Sequence, residues 1–353
     1  MLAVRLRTMS ISSRQATTAI ALSAAALLTG CGSAQHHAST VVIAAQPPST
    51  ATATTSSTST SAGTSTSTST GSTTTLPGAG KPPVTIGDKN FTEQFILGEL
   101  YAEALKAQGF TVILNRNIGP TEVTIPALES GRLGMYPEYL GTWNQSIAGN
   151  TQTFQTRRSA FRAAQRYALA HGLILLKPTP FSNTDAIGVT SSYAAQNKLR
   201  SLEDLRKVAT TLTVGAPPQF QQSPGGLTAI EQAYGFFPAG FKPLDVGGQY
   251  QALDQGTVQA ADISTTDGEL TTGKYKLLRD PMRVFGWGNV VPVISDKTLL
   301  AQGPEFITTI NRVSRLLSTP VMRQLNAAVD IQQQDPMVVA KQFLVAHGIP
   351  AAT

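Results

Sequence analysis

Between Ser49 and Thr75 the chain has almost nothing a fold could bury: 22 of these 27 residues are Ser or Thr, and the rest are Ala or Gly. With no large apolar side chain in the tract, nothing offsets the entropy of ordering it. It reads as a flexible linker, stiffened at its far end by Pro77, Pro82 and Pro83. The whole hydrophobic core must therefore come from the roughly 270 residues that follow, enough chain for one large domain or two lobes. The tract also accounts in part for a charged fraction of only 14%, against about 25% in an average globular chain.

The segment before the linker reads as an address. Arg5, Arg7 and Arg14 carry charge with no acid among them, and an apolar run from Ala19 to Leu28 ends in Leu28-Thr29-Gly30-Cys31. A basic segment, a short apolar segment and small residues together describe a secretory leader. The run falls short of the roughly 20 residues a membrane span needs. Leu-Thr-Gly-Cys resembles the bacterial lipobox, which implies a diacylglyceryl group on the Cys31 sulfur and cleavage just before it. Residues 1–30 are then a lipoprotein signal peptide and 31–83 the linker. The chain is expected to be exported and lipid-anchored at the outer face of a bacterial cell membrane. Cys31 is the only Cys, so no intrachain disulfide can form.

From Val84 the texture becomes α/β. Short apolar strands at Val84–Gly87, Thr111–Leu114, Leu133–Tyr136 and Leu173–Leu176 alternate with helices at Phe91–Gln108, Thr121–Ser130 and Arg157–His171. The rhythm returns at Ala186–Thr190, Ser201–Val208, Leu212–Ala216, Leu227–Tyr234, Tyr250–Gln255 and Val258–Ile263. Alternation of this kind predicts α/β units with mostly parallel sheets. A strand at Val290–Ile294 and three helices, near Pro304–Leu317, Pro320–Gln333 and Asp335–His347, close the chain.

Catalytic signatures are missing. There is no Gly-x-x-x-x-Gly-Lys-Ser/Thr, no Gly-x-Gly-x-x-Gly after a strand and no Gly-x-Ser-x-Gly. His36 and His37 lie in the linker. His171 and His347 stand at predicted helix ends before a Gly, where capping is the simpler role than general-base work. With one Cys and four His, a His/Cys metal site is hard to build. No cofactor is implied, and an enzyme is the weaker class.

The distinctive segment is Gly87-Asp88-Lys89-Asn90-Phe91-Thr92-Glu93-Gln94. A strand ends at a lysine and a helix begins at once, so a cation and free backbone N–H groups face one space, which suits a carboxylate. Ile118-Gly119-Pro120-Thr121-Glu122-Val123 and Met135-Tyr136-Pro137-Glu138-Tyr139-Leu140-Gly141-Thr142 follow at short intervals. In order and spacing these blocks resemble the substrate-binding proteins of osmoprotectant ABC importers, the glycine betaine/choline/carnitine group. The likeness runs more weakly to about residue 350.

The resemblance implies a two-lobed periplasmic-binding-protein fold (type II, flytrap) with a hinge of two crossover strands. Residues 84–185 and 286–353 would form lobe 1, and 186–285 lobe 2. It implies a small-molecule solute as ligand, with permease subunits and a cytoplasmic ATPase as partners. The ligand-contacting positions would be Lys89, Asn90, Thr121, Glu122, Tyr139, Thr142, Asp185, Gln219, Ser264 and Trp287. The family holds a quaternary ammonium in a cage of tyrosines and its carboxylate with Lys and Arg. Here Asp185 follows Asn183-Thr184 where the family often has Tyr. Gln219-Phe220-Gln221-Gln222-Ser223 replaces Glu-Phe-x-x-Arg, Ser264 replaces a Tyr, and Gly288 replaces another. Three of four cage rings and the arginine are thus missing, and each desolvated ring is worth about 0.5–2 kcal/mol. Trp287, one residue from Gly288, is a candidate replacement ring, with core packing as its alternative. Asp185 is a candidate counter-charge for a cation, and Gly288 a candidate for widening the cleft. The expected ligand is a quaternary-ammonium osmoprotectant such as glycine betaine or choline. Alternatives are another polar or aromatic solute in the same transport role, or a receptor lipoprotein without a permease.

The formal charge of +6 does not argue for nucleic acid. Arg5, Arg7 and Arg14 depart with the leader and Lys81 belongs to the linker, leaving 23 basic and 21 acidic residues from Val84 onward.

Overall fold

The computed structural model describes residues 75–350. The leader, Cys31, His36, His37 and the tract up to residue 74 lie outside the described residues. The described part begins with β1 (Val84–Gly87), whose Val-Thr-Ile run suits a pleated, half-buried position. Next come α1 (Thr92–Ala107), β2 (Val112–Asn115), α2 (Thr121–Glu129) and β3 (Met135–Tyr139). A short turn, α3 (Leu140–Thr142), runs into a π-helical turn at Trp143–Ile147, followed by α4 (Arg157–Ala170) and β4 (Leu173–Leu175). The chain then crosses into β5 (Asp185–Thr190), α5 (Ser191–Gln196), β6 (Thr213–Ala216), α6 (Leu227–Tyr234), β7 (Gly240–Pro243), α7 (Gln249–Asp254), β8 (Ala260–Ser264) and β9 (Tyr275–Leu277). It returns as β10 (Val290–Ser295) and ends with α8 (Asp296–Gln302), α9 (Pro304–Leu316), α10 (Thr319–Asp330) and α11 (Pro336–Ala346).

Two five-stranded sheets result, ordered β2-β1-β3-β10-β4 and β7-β6-β8-β5-β9. Both are mixed, which corrects the expectation of mostly parallel sheets. The reason is the crossover: β5 and β10 each enter a sheet from the other lobe and run antiparallel to both neighbours. Elsewhere β1 runs parallel to β2 and β3, and β6 parallel to β7 and β8. Pro137 in β3 pairs with Pro292 in β10, so the two residues that lack an N–H face each other.

The first sheet is covered on both faces. Buried Ile96, Leu97, Leu100 and Leu105 of α1 pack with Phe306, Ile310, Phe343 and Leu344 of α9 and α11. Leu128, Trp143, Ala160, Ala164 and Ala168 of α2, the π turn and α4 cluster with Leu173, Val291 and Val293. The second lobe has its own core around Ile187, Leu202, Leu205, Val214, Ile230 and Tyr234. Local chemistry marks several boundaries. Asp335 accepts the Met337 and Val338 N–H groups ahead of Pro336, and Gly109 takes a positive φ of 82° just past α1. His171 and His347 occupy the C-caps of α4 and α11, with Nδ1 against the carbonyl four residues back, each at 2.8 Å. No described helix is long and apolar enough to cross a membrane.

The hinge is built from the two crossing segments. Asn183 N–H donates to the Gly288 carbonyl at 2.9 Å, Gly288 N–H donates to Ser182 Oγ at 3.0 Å, and Ser182 bridges Asn289 in antiparallel fashion. A Cβ on Gly288 would stand 1.7 Å from the Asn183 carbonyl oxygen. The space freed by the missing side chain is thus filled by backbone. Gly288 keeps the hinge strands close and does not widen the cleft.

Candidate functional site

A cavity of about 820 Å³ opens between the lobes. The first lobe supplies the β1–α1 turn, the start of α2, the end of β3 and one side of α10. The second supplies Ser264 at the end of β8 and Thr266 and Asp267 just after it, with Pro224, Val246, Val284 and Phe285 from its loops. Of the ten positions expected from the sequence, Lys89, Asn90, Thr121, Glu122, Tyr139, Thr142, Asp185, Ser264 and Trp287 line this cavity. Gln219 does not. It sits exposed on the 3₁₀ turn Pro218–Gln221, and Pro224 from the same loop reaches the cavity instead.

Lys89 is 5% exposed and pairs with Glu138, which is fully buried. Its ammonium also donates to Thr121 Oγ1 at 2.8 Å and lies 5.6 Å from the centre of the Tyr139 ring. Glu138 further accepts the Tyr139 N–H at 2.7 Å and the Tyr136 hydroxyl at 3.2 Å. The free cation expected after β1 is therefore already neutralised inside the first lobe. Its pairing is what makes burial of either charge tolerable.

Tyr139 stands at the end of β3, its ring stacked against Phe91 with centroids 6.0 Å apart. Its hydroxyl donates to Glu93 Oε1 at 2.8 Å. Burial, and next the Glu93 charge, hold the phenol well above its ordinary range, so it stays protonated. Glu93 gathers two more donors, Asn183 Nδ2 at 3.0 Å and Asn326 Nδ2 at 3.1 Å. Asn326 in α10 also donates to the Thr266 carbonyl at 2.8 Å, and Ser264 Oγ donates to Asn183 Oδ1 at 2.6 Å. Glu93 thus anchors a polar network that runs from α1 through the hinge into the second lobe. Glu93 lies within the Lys-Asn-Phe-Thr-Glu-Gln block, which could have marked it; Asn326 had no such signal.

The second lobe presents three carboxyls near one another. Asp185 pairs across the sheet with Ser264 and Ile187 with Asp262, so both Asp side chains point to the same face. Burial, and next the neighbouring Asp185 and Asp267 charges, push Asp262 up to about 9; one of its oxygens has no hydrogen-bond partner among the described residues. Burial raises Asp267 to about 6 despite donors from the Tyr250 hydroxyl at 2.8 Å and the Ser264 N–H at 2.9 Å. Asp185 is raised too, by desolvation, although it keeps accessible surface. It lines the cavity between the two lobes.

Trp287 is held at the cavity edge by an indole N–H that donates to the Phe154 carbonyl at 2.9 Å. The Arg283 guanidinium covers its ring at 4.4 Å from the centre. That face of the indole already holds a cation of the protein itself. Charge in the cavity is therefore lopsided. Among the described residues lining it, Glu93, Glu122, Asp185, Asp267 and Asp330 are acidic, and Lys89, matched by Glu138, is the sole cation. No group of three or more His, Cys, Asp or Glu among the described residues is arranged to hold a metal ion.

Comparison with known proteins agrees with this architecture. Residues 82–346 match the family model described as the substrate binding domain of an ABC-type glycine betaine transport system. A glycine-betaine-binding protein of Pseudomonas aeruginosa is 32% identical over 273 residues, 74% of this chain and 87% of that protein. The glycine betaine-binding protein YehZ of Escherichia coli K12 is 29% identical over 286 residues, 78% of this chain and 93% of that one. A solved glycine betaine/carnitine/choline ABC transporter structure superposes with a TM-score of 0.71 at 25% identity, covering 75% of this chain and 99% of its own. These relatives are solute-binding components rather than enzymes. The α/β chain with two lobes hinged at Ser182–Asn289 belongs to the substrate-binding domain family of ABC-type glycine betaine transport systems.

Proposed function

We propose that this protein is the extracytoplasmic receptor of an ABC importer, tethered through Cys31, and that it captures quaternary-ammonium osmoprotectants such as glycine betaine or choline between its lobes. The observation that carries this reading is the carboxylate surplus in a cleft shared by both lobes, beside the Tyr139 and Phe91 rings. A cation entering there meets Asp185 and Asp267 from the second lobe and the Phe91 ring and Glu122 from the first. Contact with both lobes is what lets a ligand favour the closed state, because only differential affinity shifts a conformational equilibrium.

The same charge census orders the ligands. A carboxylate in this cleft finds no unpaired cation among the lining residues, so choline, which has none, is favoured over glycine betaine. Permease subunits and a cytoplasmic ATPase complete the importer in this reading, and the Ser/Thr tract gives the receptor reach from its anchor. Thermal unfolding with choline, glycine betaine and carnitine tests the ligand class, since stabilisation follows RT ln(1 + [L]/Kd). A rise in Tm with choline is expected, and no shift with any of the three would overturn the reading.

A further inference from the structure

Helix α4 carries a charge that neither the core nor the cleft uses. From Tyr139 to Thr184 there is no acidic residue, yet Arg157, Arg158, Arg162 and Arg166 fall within this one helix. All four are exposed, and none of their side chains makes a hydrogen bond or ion pair among the described residues. The helix packs through its opposite side, where Ala160, Ala163, Ala164 and Ala168 are buried.

Folding does not ask for this charge. Arg157 and Arg158 stand in the first turn, where the helix dipole disfavours a cation, and no acid stands there to offset them. Thr156 and Ser159 already cap that end reciprocally. Arg158, Arg162 and Arg166 repeat every fourth residue and so form one stripe. They border a groove of about 610 Å³ with Gln152, Phe154, Gln155 and Ser159. Leu169 continues the stripe at the next helical position on that side and is 68% exposed. A row of unpaired cations is attracted to the negative surface of an anionic bilayer, and Leu169 offers one apolar side chain beside it.

We infer that the Arg158–Arg162–Arg166 stripe of α4, with Leu169, is a docking surface for anionic phospholipid headgroups. The complementary partner is a diffuse negative surface, since the exposed arginines stand in a row with no acidic residue from Tyr139 to Thr184 to offset them. The stripe lies apart from the ligand cleft: none of its residues lines that cavity, and the Gln152–Thr156 segment borders both regions through the Trp287 bond to Phe154. The inference does not depend on the ligand reading, and the proposed tether matters to it only by keeping the domain near a membrane.

The test uses the full chain carrying Cys31→Ser, so that no acyl anchor contributes. Co-sedimentation is measured with phosphatidylcholine vesicles, with and without phosphatidylglycerol, at low and high salt. Binding is expected only with phosphatidylglycerol and at low salt. A triple Arg158→Gln, Arg162→Gln, Arg166→Gln variant should bind about a hundredfold more weakly, since each basic residue near an anionic surface counts for roughly fivefold. The matching triple Lys variant should keep binding within severalfold. Circular dichroism of both variants should match the parent, as these side chains are exposed. Equal binding of the Gln variant and the parent would overturn the inference. So would equal binding to neutral vesicles, or binding to soluble polyglutamate without binding to vesicles.

Discussion

Asn326 holds Glu93 and the Thr266 carbonyl at once, with Nδ2 3.1 Å from Glu93 Oε2 and 2.8 Å from Thr266 O. One amide side chain on α10 thus ties the first turn of α1 to the loop after β8. Arg323, one turn earlier, donates to the neighbouring Thr265 carbonyl at 2.8 Å, and Gly268 abuts the backbone of Ala327. The lobes are joined here as well as at the crossover strands. Asn326→Ala removes two hydrogen bonds, one of them to a carboxylate, and is expected to destabilise by about 2–4 kcal/mol. Urea unfolding of parent and variant measures this directly.

Lys89 and Glu138 form a buried pair, so truncating either strands the other. Lys89→Ala should cost about 3–5 kcal/mol even without ligand. Lys89→Met combined with Glu138→Gln should recover much of that loss. A Lys89→Ala variant as stable as the parent in denaturant would show that the lysine acts on ligand alone.

Gly288 leaves no room for a side chain. Gly288→Ala pushes a Cβ into the Asn183 carbonyl and is expected to cost about 1–3 kcal/mol or more. Small-angle scattering of the variant should also show a changed lobe arrangement, because the strain falls on the hinge strands.

Asp262 carries a folded-state value of about 9 against an ordinary value of 3.8. The folded chain therefore keeps a proton that the unfolded chain releases, and stability falls as pH rises from about 4 toward 9. Asp262→Asn removes the titration. The variant should be more stable than the parent at pH 8 and lose the downward slope; each kcal/mol gained raises Tm by about 2–4 °C. Thermal scans across this pH range test it.

Asp267, at about 6, and the raised Asp185 must be ionised to attract a cation. Choline affinity should therefore weaken below pH 6, up to about tenfold per pH unit for each carboxyl whose charge the ligand requires. Asp185→Asn should weaken binding and flatten that dependence, which calorimetry at several pH values resolves.

Much of this was legible in the sequence. The strand Val84–Gly87 and the helix Leu227–Tyr234 are found where apolar patterning placed them, and the β1–α1, α2 and β3 blocks converge on the cleft. The edge strands Gly240–Pro243 and Tyr275–Leu277 were not legible, since one ends in a proline and the other is three residues long. Strand direction was lost because a crossover is set by which lobe a strand comes from, and a local pattern carries no trace of that. The pairing of Lys89 with Glu138 depends on two residues 49 apart meeting inside one lobe. Arg283 over Trp287 and the Gly288–Asn183 approach likewise belong to tertiary placement.

The unbalanced carboxylates of the cleft are proposed to select a quaternary ammonium cation. Isothermal titration of the chain with choline and with glycine betaine at pH 7.5 tests this most directly. Saturable binding of both is expected, with choline the tighter and Asp185→Asn weakening it. Absence of binding by either, or a clear preference for a carboxylate-bearing anion, would contradict it.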